Sequence, residues 1–472
     1  MNTSVLADTE SVCPVCLRTL PAQRVLEGDD IHLVKHCPEH GRFNTVVWRG
    51  HASYQRWQAR GSRAATPPVT QTAVHHGCPH DCGLCPDHRQ HSCCVLLEVT
   101  PRCNLRCPVC FAGSGAQGAD PTLADIDSWL DRLRAHGSPV NIQLSGGEPT
   151  LRDDLPEIVR RTRARGFDFV QVNTNGIRLA KEAGCAQALA QAGLDCAFLQ
   201  FDGLSDATYQ HIRGARLLAT KLRAIEHCAA AGLAVVLVPT LVPGVNVGEI
   251  GALVDFARQH MPVVRALHFQ PISYFGRYPT PPTDAQRITL PEVMVEIERQ
   301  TAGRIRMADF GPGASENVFC SFVGKFGLDA AGQLRSVRAD AGASCGGTGG
   351  STNGTVGCGC GKPAEEVVQG PRSRRIVARL WAAEAHQPPA APSPPGLGLA
   401  SFDAFLAARG HSLGISGMAF QDAWNLDLER LRECFIHVVS PDRRVVPFCA
   451  YNLSSASGEA LYRRPQHEPA NV

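Results

Sequence analysis

Between residues 94 and 273 the chain alternates short apolar runs with segments of helical spacing. The apolar runs fall at 95–100, 140–144, 167–172, 196–201, 234–239 and 266–271. Between the first two, Leu123, Ile126, Leu130 and Leu133 recur at helical spacing, and Gly137 is a natural stop. Further helices are expected at 206–231, with a break, and at 247–259. Strands that read as near-continuous apolar runs, each followed by a helix, predict a parallel sheet covered by helices. Six such units predict an α/β fold with a partial or complete (β/α)6 barrel. Its chemistry belongs at the C-terminal ends of the strands.

Beyond residue 310 the pattern changes. Residues 313–337 read as a hairpin with its turn at 329–332, and 363–385 as a helix. Residues 386–396 are a Pro-rich linker. A helix is expected at 418–434, then a hairpin between Cys434 and Cys449. The expected divisions are 1–60, a small metal-binding ribbon; 61–93, a linker and cysteine motif; 94–310, the barrel; 311–385, a cysteine-containing extension; 386–399, a linker; and 400–472, a C-terminal region.

Composition sharpens this picture at one point, the cysteines. The 472 residues include 20. No basic start followed by an apolar run marks a secretory signal, so a reducing cytoplasmic setting is expected. There, cysteines bind metals more often than they pair. Lys+Arg 46 against Asp+Glu 44 leaves +2, which gives no electrostatic reason to expect nucleic acid. The apolar stretch 233–245 is broken by Pro239 and Pro243 and is too short to span a bilayer, although peripheral membrane contact stays open.

The cysteines cluster. Cys103, Cys107 and Cys110 (CNLRCPVC) follow the first barrel strand, and Gly146-Gly147-Glu148 follows the second. Three thiolates on one tight loop can hold three irons of a [4Fe–4S] cube and leave the fourth open to a ligand. Cys78, Cys82 and Cys85 (CPHDCGLC) repeat the spacing. They suit either a second cluster or a zinc knuckle completed by His80 or His88. Cys13, Cys16 and Cys37, with His40, form a small ribbon motif suited to zinc; iron would need four sulfurs. Cys434 and Cys449 bracket the last hairpin, while Cys345, Cys358 and Cys360 lie in a Gly-rich stretch. Cys196 and Cys228 read as small core residues, and Cys320 as a possible further ligand.

CNLRCPVC with Phe111 next, and the Gly-Gly-Glu after the second strand, resemble the radical S-adenosylmethionine (SAM) superfamily over about residues 94–275. The run from Cys78 to Phe111, and Cys434 to Asn452, resemble one branch of it. That branch contains tetraether lipid synthases and an archaeal pterin methyltransferase-like enzyme. The resemblance implies reductive cleavage of SAM, and hydrogen abstraction from an unactivated carbon by a 5′-deoxyadenosyl radical. It implies that Gly146, Gly147 and Glu148 receive the SAM methionine and that Phe111 approaches the adenine. By position, Asn175, Asp202, Thr240 and Gln270 point towards the same site. It also implies one or two auxiliary [4Fe–4S] clusters and a one-electron reductase of flavodoxin or ferredoxin type. The leading substrate expectation is a lipid-like chain undergoing C–C bond formation or methylation. A pterin-like heterocycle is the alternative, and a non-catalytic iron–sulfur carrier the reading from another class.

Overall fold

The computed structural model describes residues 3–61, 70–135, 137, 140–313, 316–337, 378, 381–382 and 412–463. Cys345, Cys358, Cys360, the Pro-rich linker and most of the helix expected at 363–385 lie outside these.

The N-terminal ribbon is a four-stranded antiparallel meander of β1 (Thr3–Val12), β2 (Thr19–Glu27), β3 (Asp30–Cys37) and β4 (Gly41–Arg49). The barrel strands are β5 (Cys94–Thr100), β6 (Asn141–Gly146), β7 (Val170–Thr174), β8 (Cys196–Gln200), β9 (Ala234–Val238), the two-residue β10 (Thr240–Leu241) and β11 (Val264–Pro271). All six expected strands are present. The expected helix 206–231 is broken into Asp206–Arg213 and Leu218–Ala230 by Gly214, whose φ of 75° is the left-handed cap that glycine favours.

Five more strands follow: β12 (Ser321–Leu328), β13 (Leu334–Ser336), β14 (Ser412–Met418), β15 (Ile436–Val439) and β16 (Val445–Pro447). The two expected hairpins are β12–β13 and β15–β16. The second sheet runs β13-β12-β14-β11-β9-β8-β7-β6-β5-β15-β16, with β10 on β11. β14 joins the barrel parallel to β11, and β15 joins the opposite edge parallel to β5. The parallel array is thus extended at both ends by strands from the C-terminal region. Cys93, Met418 and Phe435 pack together where those two ends approach.

The helix expected at 418–434 shrinks to Leu428–Arg432. Polar side chains before it capture the backbone instead. Asn425 Oδ1 accepts the Asp422 N–H at 2.7 Å, Asp422 Oδ1 the Trp424 N–H at 3.1 Å, and Gln421 Oε1 the Asp427 N–H at 2.8 Å. Such local bonds compete with helix formation.

The barrel strands are less uniformly apolar than a parallel sheet predicts. In β6 and β7, Ile142, Leu144, Val170 and Val172 pack in the main core. Their neighbours Asn141, Gln143, Ser145, Gln171 and Asn173 line the barrel interior. The period-2 pattern places apolar residues outward against the helices and amides inward.

Candidate active site

The barrel holds a cavity of about 530 Å³. Cys103, Cys107, Cys110, Phe111, Gly146, Gly147, Glu148, Asn175, Thr240 and Gln270 all line it. Residues read from separate strand ends therefore meet at one place.

The three-cysteine loop is tied down from several sides. Cys103 N–H donates to Gly115 O at 2.6 Å, and Leu105 N–H approaches the Cys103 sulfur at 3.4 Å. Cys110 and Arg277 exchange backbone bonds of 2.9 Å. The Arg277 guanidinium also donates to the carbonyls of Cys107 (3.1 Å), Gly113 (3.3 Å) and Ser114 (2.9 Å). A side chain at Gly276 (φ 67°) would collide with the Phe111 and Cys110 carbonyls, so glycine is needed there. Arg277 was not legible in the sequence, because nothing local links residue 277 to residue 107.

Burial pushes the Cys103 thiol up to about 12, with the nearby carboxylate of Glu148 adding to it and the Leu105 N–H opposing. A thiol so disfavoured as an anion suits a site where bound iron supplies the compensating positive charge. The buried Arg213 guanidinium lies near enough to Cys107 for the thiol to raise its pKa, alongside the larger effect of Asp202. Its nitrogens grip Asp202 at 2.6 and 2.7 Å and Thr240 Oγ1 at 2.9 Å. Asp202 itself is fully buried behind Arg213 and does not line the cavity. Its place is to hold Arg213.

Gly146 and Gly147 press against the cluster loop. A Cβ on either would strike the Thr100 or Arg102 carbonyl. Gly147 N–H donates to Thr100 O (2.7 Å) and Glu148 N–H to Arg102 O (2.8 Å). The Glu148 carboxylate, 1% exposed as a residue, accepts from Thr150 N–H (3.1 Å), Thr150 Oγ1 (2.5 Å), Thr174 Oγ1 (2.7 Å) and Asn175 N–H (2.7 Å). Glu148 thus staples the end of β6 to the end of β7. Asn175 continues the staple by donating to Asn104 Oδ1 in the cluster loop at 2.7 Å.

The remaining described cysteine motifs gather at three further places. In the ribbon, the ligand atoms of Cys13, Cys16, Cys37 and His40 all lie within 4.8 Å of one another. Three sulfurs and one imidazole are a zinc donor set. Cys78, Cys82 and Cys85 line a small hollow with His88 and Arg432. His88 is turned to His437, Nε2 to Nε2 at 3.3 Å. Near the C-terminus, Cys320 lies beside Cys434 and Cys449. Burial raises all three thiols; Cys449 and Cys320 add to the rise at Cys434, Cys320 adds to it at Cys449, and at Cys320 the Arg430 guanidinium opposes burial while Glu316 and Glu433 reinforce it. Buried Arg430 points a guanidinium nitrogen at the Cys320 sulfur, 3.5 Å away. Cys196 and Cys228 are core residues, as their strand and helix positions implied.

The profile of the Radical SAM superfamily matches residues 97–257, and that of the HMPTM N-terminal zinc ribbon domain residues 5–49. The 7,8-dihydro-6-hydroxymethylpterin dimethyltransferase of Methanocaldococcus jannaschii is 36% identical, over 94% of this chain and 93% of its own length. The chain belongs to the radical SAM superfamily. Membership implies a [4Fe–4S] cluster and SAM, and the three-cysteine loop at the cavity is the donor set such a cluster needs. This radical SAM enzyme is also 34% identical to a probable GTP 3',8-cyclase of Methanothermobacter thermautotrophicus, over 37% of this chain and 56% of that one. Among solved structures, Streptococcus suis SuiB aligns with a TM-score of 0.38 at 18% identity, over 46% of this chain and 47% of that one. Among the described residues, no helix is long and apolar enough to cross a membrane.

Proposed function

We propose that the enzyme attaches a one-carbon unit to a carbon of a pterin-like heterocycle. The observation that carries this reading is the inward amide set of Gln143, Gln171, Asn173, Gln200 and Gln270, set among apolar residues such as Leu96 and Phe198. A flat heterocycle needs apolar faces and hydrogen-bonding edges. Gln143 and Asn173 partly satisfy each other, but a polymethylene chain would offer nothing to the hydrogen-bonding capacity that the set still turns to the cavity, which costs free energy. The volume is in the range of small-molecule pockets. The lipid-like substrate expected first therefore gives way to the pterin alternative. The name of the M. jannaschii relative supports the same choice.

When bound at Cys103, Cys107 and Cys110, the cluster and SAM supply reductive cleavage to a 5′-deoxyadenosyl radical. The chain's own residues do the positioning. Phe111, Gly146, Gly147, Asn175, Thr240 and Gln270 wall the SAM site. Glu148 fixes the loop between β6 and β7, and Arg213 places a cation near Cys107. The carrier reading is disfavoured because an electron carrier has no use for a substrate-sized cavity beside its cysteines. Cys78, Cys82 and Cys85, and Cys320 with Cys434 and Cys449, are assigned to auxiliary clusters, and the ribbon to zinc. A flavodoxin- or ferredoxin-type donor in the cytoplasm would supply the electrons.

The test is anaerobic reconstitution, reduction with dithionite, and incubation with 7,8-dihydro-6-hydroxymethylpterin and methyl-labelled SAM, one SAM serving as radical source and a second as one-carbon donor that leaves as S-adenosylhomocysteine. The expected result is 5′-deoxyadenosine together with a methylated pterin by mass spectrometry. Turnover of an alkyl lipid, with the pterin untouched, would overturn the reading.

A further inference from the structure

Among the described residues, two carboxylates line the cavity, Glu148 and Glu316. Glu148 is engaged by four donors of the scaffold, as described above. Glu316 is 6% exposed and accepts the Ser321 hydroxyl at the start of β12. β12 lies beyond β14, at the end of the sheet away from β6 and β7. The cavity therefore carries a carboxylate from one part of the sheet and an amide ladder from another. In the ladder, Cys94 donates to Gln143 Oε1 (3.3 Å), Gln143 Nε2 to Asn173 Oδ1 (2.5 Å), and Asn173 Nδ2 to Ser145 Oγ (3.3 Å).

We infer that Glu316 recognises the 2-amino-4-oxopyrimidine edge of the substrate, with Gln143 and Asn173 serving the rest of the ring system. The inference rests on the pterin reading and deepens it. That edge presents two adjacent N–H donors, the exocyclic amine and the ring N–H. A carboxylate's two oxygens match such a pair. The remaining ring edge mixes donors and acceptors, and a carboxamide can serve both. A buried carboxylate also disfavours any analogue that presents a carbonyl where the amine should be, because two acceptors then face each other.

The experiment uses the anaerobic holoenzyme with SAM. It measures equilibrium binding, by pteridine fluorescence, of a pterin and of the matching lumazine, in which a 2-oxo group replaces the 2-amino group. Wild type should prefer the pterin by about tenfold to a hundredfold, the span of a charge-assisted hydrogen bond. Glu316→Gln should narrow or invert that preference, since a carboxamide can donate to the 2-oxo group. Glu316→Asp should keep the preference at lower affinity. Gln143→Leu should weaken both ligands by similar factors. Equal binding of both pteridines to wild type would overturn the role of Glu316 and leave the pterin reading standing. A preference unchanged in folded Glu316→Gln would do the same. Failure of both pteridines to bind would overturn the pterin reading beneath it.

Discussion

In the ribbon, Cys13 and Cys16 lie between β1 and β2, and Cys37 and His40 at the turn from β3 to β4, so neighbouring hairpin ends bring the four ligands together. At the C-terminal site, Cys320 precedes β12, Cys434 precedes β15, and Cys449 follows β16, yet the three thiols are close enough to perturb one another. No hairpin joins all three. β12 reaches the site through β14 on one edge of the barrel, and β15 through β5 on the other. The ribbon shows a ligand set specified by spacing. At the C-terminal site, three thiols are brought near one another by how the ends of a long parallel sheet approach each other. The two are also linked. Ribbon residues Thr9 and Arg24 bind the Asp427 carboxylate, at 2.8 and 2.7 Å, just ahead of the helix that carries Arg430.

The largest test of this contrast removes ligands. Cys320→Ala should lose the C-terminal iron as fully as Cys434→Ala does, about four irons per chain if the site holds a cubane. Ribbon zinc should be unchanged in both. Metal analysis by mass spectrometry checks it. Retention of that iron in Cys320→Ala would reduce Cys320 to a bystander and leave the sheet-assembled site with two described ligands.

The catalytic loop stands between the two cases, with local ligands but a distant clamp. Arg277→Met keeps all three cysteines and removes the guanidinium bonds to the Cys107, Gly113 and Ser114 carbonyls. Iron affinity at this loop should fall about 10- to 100-fold, the usual cost of losing support behind metal ligands. Competition with an iron chelator reads this out. An unchanged affinity would mean that the loop, like the ribbon, is specified by its own sequence.

The smallest effect concerns the seam between the barrel and the C-terminal strand β14. His268 of β11 hydrogen-bonds Ser416 Oγ of β14 at 2.8 Å, and burial pushes its pKa down to about 4. The folded-state value lies below the ordinary 6.5. Between those values the unfolded chain takes up a proton that the folded chain refuses. Stability should therefore be insensitive to this group above about pH 6.5 and fall as pH drops towards 4, by up to about 1.4 kcal/mol per pH unit. Urea unfolding at pH 7 and pH 5, in wild type and His268→Gln, should show a shallower pH dependence in the variant. Equal slopes would place His268 outside the buried seam.

The sequence by itself determined what short-range spacing can carry. Strand and helix periodicity specified the six barrel units, because a strand buried under helices must repeat its apolar positions. Cysteine spacing specified the ribbon ligands and the catalytic loop, because a few residues between ligands leave little conformational choice. The amide face of β6 and β7 was also legible, in Asn-Ile-Gln-Leu-Ser and Val-Gln-Val-Asn, although a search for apolar runs passes over that alternation. Only the tertiary structure decided the rest. It placed Arg277 under the cysteine loop, Arg213 between Asp202 and Cys107, and Glu316 in the cavity with Gln143. It also shows Glu148 engaged by Thr150, Thr174 and Asn175, contacts that the resemblance did not indicate. The physical reason is shared. Apart from the Glu148–Thr150 and Arg213–Asp202 pairs, each is a contact between elements far apart in the chain, and its partner is chosen by which strands pair and how the sheet curves, neither of which any local pattern encodes.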